Sequence, residues 1–164
     1  MATAADWAAG YLAQARVDLA AASQAVDASV RAMLLQMTME KIAKAALLKS
    51  QQWSPTNSQT THRGASHMMR LLLWPRYLNK LAYERNVVEH VIKPMVDELE
   101  NLHPANAPSG PWLEYPWLTP TDAVAVPCQD LPILASYRSI QSNRAALLMR
   151  FAASLIDNHD RIFA

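Results

Sequence analysis

From Met33 to Leu48 the chain carries no glycine, no proline and little β-branching, so its helix propensity is high. At about 100° per residue, Leu35, Met39, Ile42 and Ala46 fall on one side of such a helix, while Val30, Leu34, Met37 and Leu48 fall on another. Apolar surface facing two ways places this helix between neighbours. Its few charges are well arranged, with Glu40 and Lys44 in the favourable i,i+4 order. The expected architecture is therefore an all-α, antiparallel up-down bundle with residues 30–50 as its central rod.

A bundle needs apolar side chains to bury, and 51% of the residues are hydrophobic while 18% are charged, below the usual quarter. The 164 residues suit a single domain, 1–164. The apolar surplus must be buried internally or against another copy, so a homodimer is expected. A net charge of +1 provides no overall basic field for long nucleic acid. The one cysteine, Cys128, excludes an internal disulfide and suits a reducing compartment. The first residues lack a basic segment followed by an apolar core, and no apolar run approaches the roughly 20 residues that span a bilayer. A cytoplasmic chain without membrane association is the expectation.

Helical periodicity divides the rest. Residues 4–27 predict a first helix capped by Thr3, with Trp7, Tyr11, Ala15, Leu19, Ala22 and Val26 as its stripe and Asp6 in its first turn. A short turn follows, with Ser29 as N-cap of the central helix, which runs to about Gln52. Residues 53–60 read as a polar loop, and Thr61 as the cap of a third helix ending at Trp74, because Pro75 forces a boundary. A fourth helix runs from about Arg76 to Leu102 along a seam of Leu78, Leu81, Arg85, Val88, Ile92, Met95 and Leu99. Pro94 removes the donor for the His90 carbonyl, so a kink is expected near 91–93. Six of the ten prolines lie between 103 and 130, together with Trp112, Tyr115 and Trp117. This long Pro/Trp-rich loop reads as glued to the bundle by its aromatics, with 122–126 briefly extended. A last helix starts near Asp130, with Tyr137, Ile140, Arg144, Leu148, Phe151 and Leu155 as its stripe. About five helices result.

Several segments resemble the HEPN superfamily, the nucleotide-binding helical domains of higher eukaryotes and prokaryotes. Residues 15–22, from Ala15-Arg16-Val17-Asp18 onward, resemble the family's first helix. Met39-Glu40-Lys41 with Lys44-Ala45 resembles its second, Thr61-His62 the start of its third, and Tyr115-Pro116-Trp117 a Tyr-Pro element before the last helix. The resemblance covers about residues 11–158. It implies a dimerising antiparallel bundle. Many members are small ribonucleases, often toxins paired with a nucleotidyltransferase partner, and others bind nucleotides or proteins without known catalysis. Catalytic members carry Arg, often followed by a polar residue, then His four to six residues on, a pattern that Arg85-Asn86-Val87-Val88-Glu89-His90 fits.

In that reading Arg85 would hold a scissile phosphate, His90 would act as general acid or base and Asn86 would orient one of them. On an unbroken α-helix residues five apart diverge by about 140°, so the pair would need a helix break or a composite dimer cleft to act together. Arg85 and Arg144 both interrupt apolar seams. Asp18 and Glu40 are candidate partners for them; otherwise their stems lie on the core while the guanidinium groups reach water. His62 and Arg63, with His67 and Arg70 nearby, could contact phosphate or a partner, as could Arg144. Metal binding is not expected, because His62 and His67 do not converge on a helix and no cysteine or acidic cluster accompanies them. No cofactor motif is present. Three functions stay open: a nucleotide-, RNA- or protein-binding module, a metal-independent endoribonuclease, and a non-catalytic assembly protein.

Overall fold

In the computed structural model, which describes every residue except Met1 and Ile140, 67% of the chain is helical and 2% is strand. The all-α class expected from the sequence is the one found. No helix among the described residues is long and apolar enough to cross a membrane.

Helix α1 (Ala4–Gln24) begins with a capping box, the Thr3 hydroxyl accepting from the Asp6 N–H while the Asp6 carboxylate accepts from the Thr3 N–H. Ala8, Ala15 and Ala22 are its buried alanines, and their small size lets it lie close along α2 (Ala28–Lys49). Val26, expected on its stripe, lies beyond the helix end and is 94% exposed. The N-cap of α2 is Asp27, not Ser29: the Asp27 carboxylate accepts from the N–H groups of Ser29 and Val30 and also from the Ser29 hydroxyl. A carboxylate at this position also complements the helix dipole.

Helix α2 is the core of the molecule. All seven residues from Ile42 to Leu48 are buried, and α1, α4, α7 and α9 surround it. It ends at Lys49 rather than Gln52, and residues 53–60 are not a plain loop. Ser54 caps a short α3 (Pro55–Thr60) with Pro55 in its first turn, where a missing N–H costs nothing. The next helix, α4 (Gly64–Leu72), starts three residues later than Thr61 and has no cap of its own. The Glu100 carboxylate, arriving from α7, accepts from the N–H groups of Ala65 and Ser66 instead.

Pro75 does impose a boundary: Trp74 is extended at ψ 139° and α5 (Pro75–Leu78) begins on the proline. The predicted fourth helix is interrupted over 79–84, where Lys80 swings its ammonium to the Ile162 carbonyl. A continuous rod then runs from α6 (Arg85–Val87) through a π turn (Val88–Ile92) into α7 (Lys93–Glu100). The π turn is the distortion expected from Pro94. Proline can give no N–H to the His90 carbonyl, and the turn just before it widens so that the Lys93 N–H donates to Val88, five residues back. Val88, Ile92, Met95 and Leu99 are buried as the seam predicts, whereas Arg85 is exposed.

The Pro/Trp-rich connection holds a two-stranded antiparallel sheet, β1 (Trp117–Leu118) against β2 (Val124–Ala125), so the extended stretch predicted at 122–126 is part of a hairpin. Leu113 is buried, Trp112 and Trp117 are half-buried, and Tyr115 is exposed. Asp130 is the last residue of a short α8 (Pro127–Asp130) rather than the cap of a long helix, its carboxylate accepting from the Val126 N–H. A 3-10 segment (Pro132–Tyr137) follows, and α9 (Asn143–Asp157) starts under a Ser142 cap. Of the predicted stripe, Tyr137, Leu148, Phe151 and Leu155 are buried, and Ile140 lies outside the described residues. Asn158 breaks the helix before α10 (His159–Phe163).

One buried charge ties three of these elements together. Arg31, 5% exposed, donates to the Ala22 and Ala25 carbonyls at the open end of α1 and to the Tyr137 carbonyl that ends the 3-10 segment. The last turn of α1 has no basic residue, so an arginine from α2 satisfies its carbonyls. Arg31→Ala is expected to cost roughly 3 kcal/mol and lower Tm by about 10 °C in a thermal melt. A second consequence concerns acid. His159 is 2% exposed, neither ring nitrogen has a hydrogen-bond partner, and burial pushes its pKa down to about 4. The unfolded chain takes up this proton near 6.5, so stability should be full above that pH and fall by on the order of 3 kcal/mol towards pH 4. In pH-dependent denaturant titrations, His159→Leu should flatten that decline.

Candidate functional site

Two places carry chemistry. The first is a polar junction where α2, the start of α4 and the loop after α7 meet. Glu40 and Lys44 share one face of α2, and the Lys44 ammonium lies 2.8 Å from Glu40 Oε1. His62 Nδ1 is 3.1 Å from the same oxygen. The His62 ring stacks on that of His103, with centroids 4.4 Å apart and planes 16° from parallel. Behind it, His103 Nδ1 accepts from the Ala105 N–H, so the ring proton of neutral His103 is on Nε2, 4.0 Å from a Glu114 carboxylate oxygen. Asn106 locks the junction: its amide N–H groups donate to the His62 and Glu100 carbonyls, while its oxygen accepts from Arg63.

The electrostatics are those of a half-buried, nearly neutral cluster. Burial pushes the Glu40 carboxyl up, but the hydrogen bond and charge of Lys44, with His62 and His103, outweigh it and hold the group below its ordinary value. His103 is pushed down, first by burial and then by its neighbour His62, so it is neutral at pH 7. Burial raises Glu100 against the hydrogen bonds it accepts from three donors, the Ala65 N–H, the Ser66 N–H and the Ser66 hydroxyl. The Lys44 ammonium also lies 5.6 Å from the centroid of the Tyr11 ring, a second favourable contact on its other side.

The second place is the first turn of the 85–100 rod. Arg85, Asn86 and His90 are all exposed. Arg85 donates to the Leu73 carbonyl at 2.7 Å and stands 3.6 Å from Glu89. Its guanidinium is therefore on the surface and not in the apolar seam. Part of the five-residue step to His90 runs through the wider π turn, so the two side chains diverge by less than the 140° or so of an ideal α-helix.

The structure separates the other residues picked from sequence. His62 joins the junction, but His67 does not: it packs edge-on against Trp53, and burial lowers its pKa. Arg63 reaches Asn106. Arg144 leaves the seam to pair with Glu98 at 2.7 Å, both side chains about 40% exposed. Asp18 and Glu40, candidate partners for the seam arginines, pair with Lys41 and Lys44 instead. His103, Asn106 and Gln36 were not singled out, because nothing local marks a histidine or asparagine in a proline-rich loop as part of a cluster built on α2. Comparison with family models, curated proteins and solved structures returns no match.

The Glu40–Lys44 pair is enclosed enough for its loss to be felt, with side chains 17% and 8% exposed. Glu40→Gln strands a buried ammonium and should cost about 3 kcal/mol in urea denaturation at pH 7. The double variant Glu40→Leu with Lys44→Met should recover most of that loss, which a purely additive pair of sites would not.

Proposed function

We propose that the chain is a divergent HEPN-like module that binds a nucleotide, RNA or a protein partner as a homodimer. In this reading α1, α2, α4, the 85–100 rod and α9 are the rods of an antiparallel up-down bundle of about five helices, and the shorter helical segments connect them. The observation that carries this reading is convergence. Glu40 and Lys44 come from one segment that resembles the family and His62 from another, and they meet at one junction with His103. Residues that recur together in a family for one structural purpose should behave in this way.

The ligand face is the start of the 85–100 rod. A helix start presents free N–H groups to an anion. Arg85 is held there by one neutral carbonyl and by a long, exposed contact to Glu89, bonds that a phosphate can displace. A nucleotidyltransferase would be one protein partner of the kind this family uses.

One observation favours a second reading, a metal-independent endoribonuclease. The π turn lies between Arg85 and the far side of His90, and both side chains are open to solvent. His90 would take the proton of a ribose 2′-hydroxyl as that oxygen attacks phosphorus, or protonate the departing oxygen, while Arg85 stabilises the charge on the phosphate and Asn86 orients either group.

Isothermal titration with ATP and with a short single-stranded RNA, together with RNA incubation in chelator, separates these readings. Under the binding reading wild type takes up ligand, Arg85→Ala weakens it by about tenfold, and the RNA stays intact. Cleavage that His90→Ala abolishes would select the ribonuclease. No uptake at millimolar ligand would overturn the nucleotide and RNA branches and leave a protein partner or self-assembly.

A further inference from the structure

Beside the polar junction lies a small, partly open cavity of about 10 Å³, room for one water or one ion. Glu40, His62 and His103 line it, together with Gln36, one turn before Glu40 on the same face of α2. Each of the first three offers one donor atom, and those atoms all lie within 4.8 Å of one another. Gln36 supplies an independent observation. It is 4% exposed, its amide N–H donates to the Leu99 carbonyl, and its Oε1 accepts nothing. A buried acceptor without a donor is unusual, and this one lines the cavity that the other three share.

We propose that this cavity is a site for one first-row divalent cation of the zinc type, held by Glu40, His62 and His103 with the Gln36 amide oxygen completing the set. Two imidazoles, a carboxylate and an amide oxygen suit such an ion better than magnesium or calcium, which prefer all-oxygen sites. The 3.1 Å between His62 Nδ1 and Glu40 Oε1 is close to the roughly 3.3 Å expected of two donors on one tetrahedral ion. The ion takes the place of the proton between them, and the His62 ring proton moves to Nε2. Lys44 contacts the same Oε1 of Glu40, so the ion takes that oxygen and the ammonium keeps its pair through Oε2. His103 is already in the required tautomer: Nδ1 carries a lone pair, given now to the Ala105 N–H, and Nε2 lies 4.0 Å from a Glu114 carboxylate oxygen, near enough to become an outer-shell partner once the ring turns. The two rings are stacked, and stacked rings cannot aim both lone pairs at one point. Binding therefore opens the stack by turning His103 at the start of its loop and exchanges the Ala105 hydrogen bond for the metal bond.

Untagged protein, freed of metal by chelator and dialysed, tests the site by titration with zinc and by the visible spectrum of added cobalt(II). The expected result is one ion per chain, with a tetrahedral cobalt band. His103→Ala and Glu40→Gln should each weaken uptake at least tenfold while circular dichroism shows a folded chain, and Gln36→Leu should weaken it less. Lys44→Met, which removes a competing cation, should tighten it. The proposal is overturned if wild type takes up no ion at 100-fold excess, in which case the cavity holds water only. It is equally overturned if uptake is the same in His103→Ala, in which case the ion binds elsewhere. Neither readout involves a nucleotide, so the outcome is independent of the binding function proposed above.

Discussion

Enclosure of α2 is the constraint from which most of the structure follows. Helix α2 is buried continuously from Ile42 to Leu48, and Arg31, Gln36 and Lys44 are buried along it as well, so each of these polar side chains must find a partner inside. Arg31 finds three carbonyls, Gln36 finds Leu99 with half of its amide, and Lys44 finds Glu40. These bonds reach α1, the 3-10 segment and α7 in turn. The helix that supplies the apolar core therefore also supplies the polar ties that orient its neighbours. Apolar burial sets the scale, at about 1.5–3 kcal/mol for each fully enclosed Leu, Ile or Met. Burial alone is non-directional, and the hydrogen bonds set the register in which α1 and α7 lie against α2.

That division explains which parts could be read from the sequence. The rod at residues 30–50 was legible because two apolar stripes on one helix have few other meanings. Thr3 with Asp6 and the Trp74–Pro75 boundary were legible because caps and prolines act locally. The distortion ahead of Pro94 was also legible, though its form as a π turn was not. Errors gathered where a distant group replaced a local signal. Thr61 looks like a cap, but the helix starts at Gly64 because a carboxylate from Glu100, far along the chain, supplies the bonds. Asp130 looks like the start of a long helix, but its carboxylate closes a single turn on Val126. The run from Arg76 looked continuous because Leu78 and Leu81 keep the seam's spacing. The pattern could not show that Lys80 and Arg85 would turn to carbonyls on other elements.

The same reasoning applies to the candidate sites. Glu40 with Lys44 is an i,i+4 pair and visible in the sequence, yet such a pair is usually a solvated face. What makes this one different is the arrival of His62 and His103, one from a turn and one from a loop, and no spacing rule connects them. For Arg85 the sequence left two outcomes open, a charge held in the seam or a guanidinium in water, and the second is found. Seam periodicity puts it inside, but the chain breaks at 79–84 and restarts at Arg85, so a residue at a helix start is free to face water.

The two chemical regions differ in a way that bears on what each can accept. The junction around Glu40 is half-buried, internally paired and open only to something the size of a water molecule. A nucleotide cannot enter it without dismantling the Asn106 contacts that hold the loop. The Arg85 turn is the reverse: its side-chain donors are exposed, held by the Leu73 carbonyl and a long contact to Glu89. A site open on one side gains enclosure only from a second surface. This makes a homodimer or a protein partner a physical requirement of tight binding at Arg85, because phosphate contacts in full solvent are screened and weak. The interior junction needs no second surface, since α2 and the loop from His103 to Asn106 already stand on two sides of it. The two places therefore differ in what completes them: a second surface at Arg85, and the chain's own loop at Glu40.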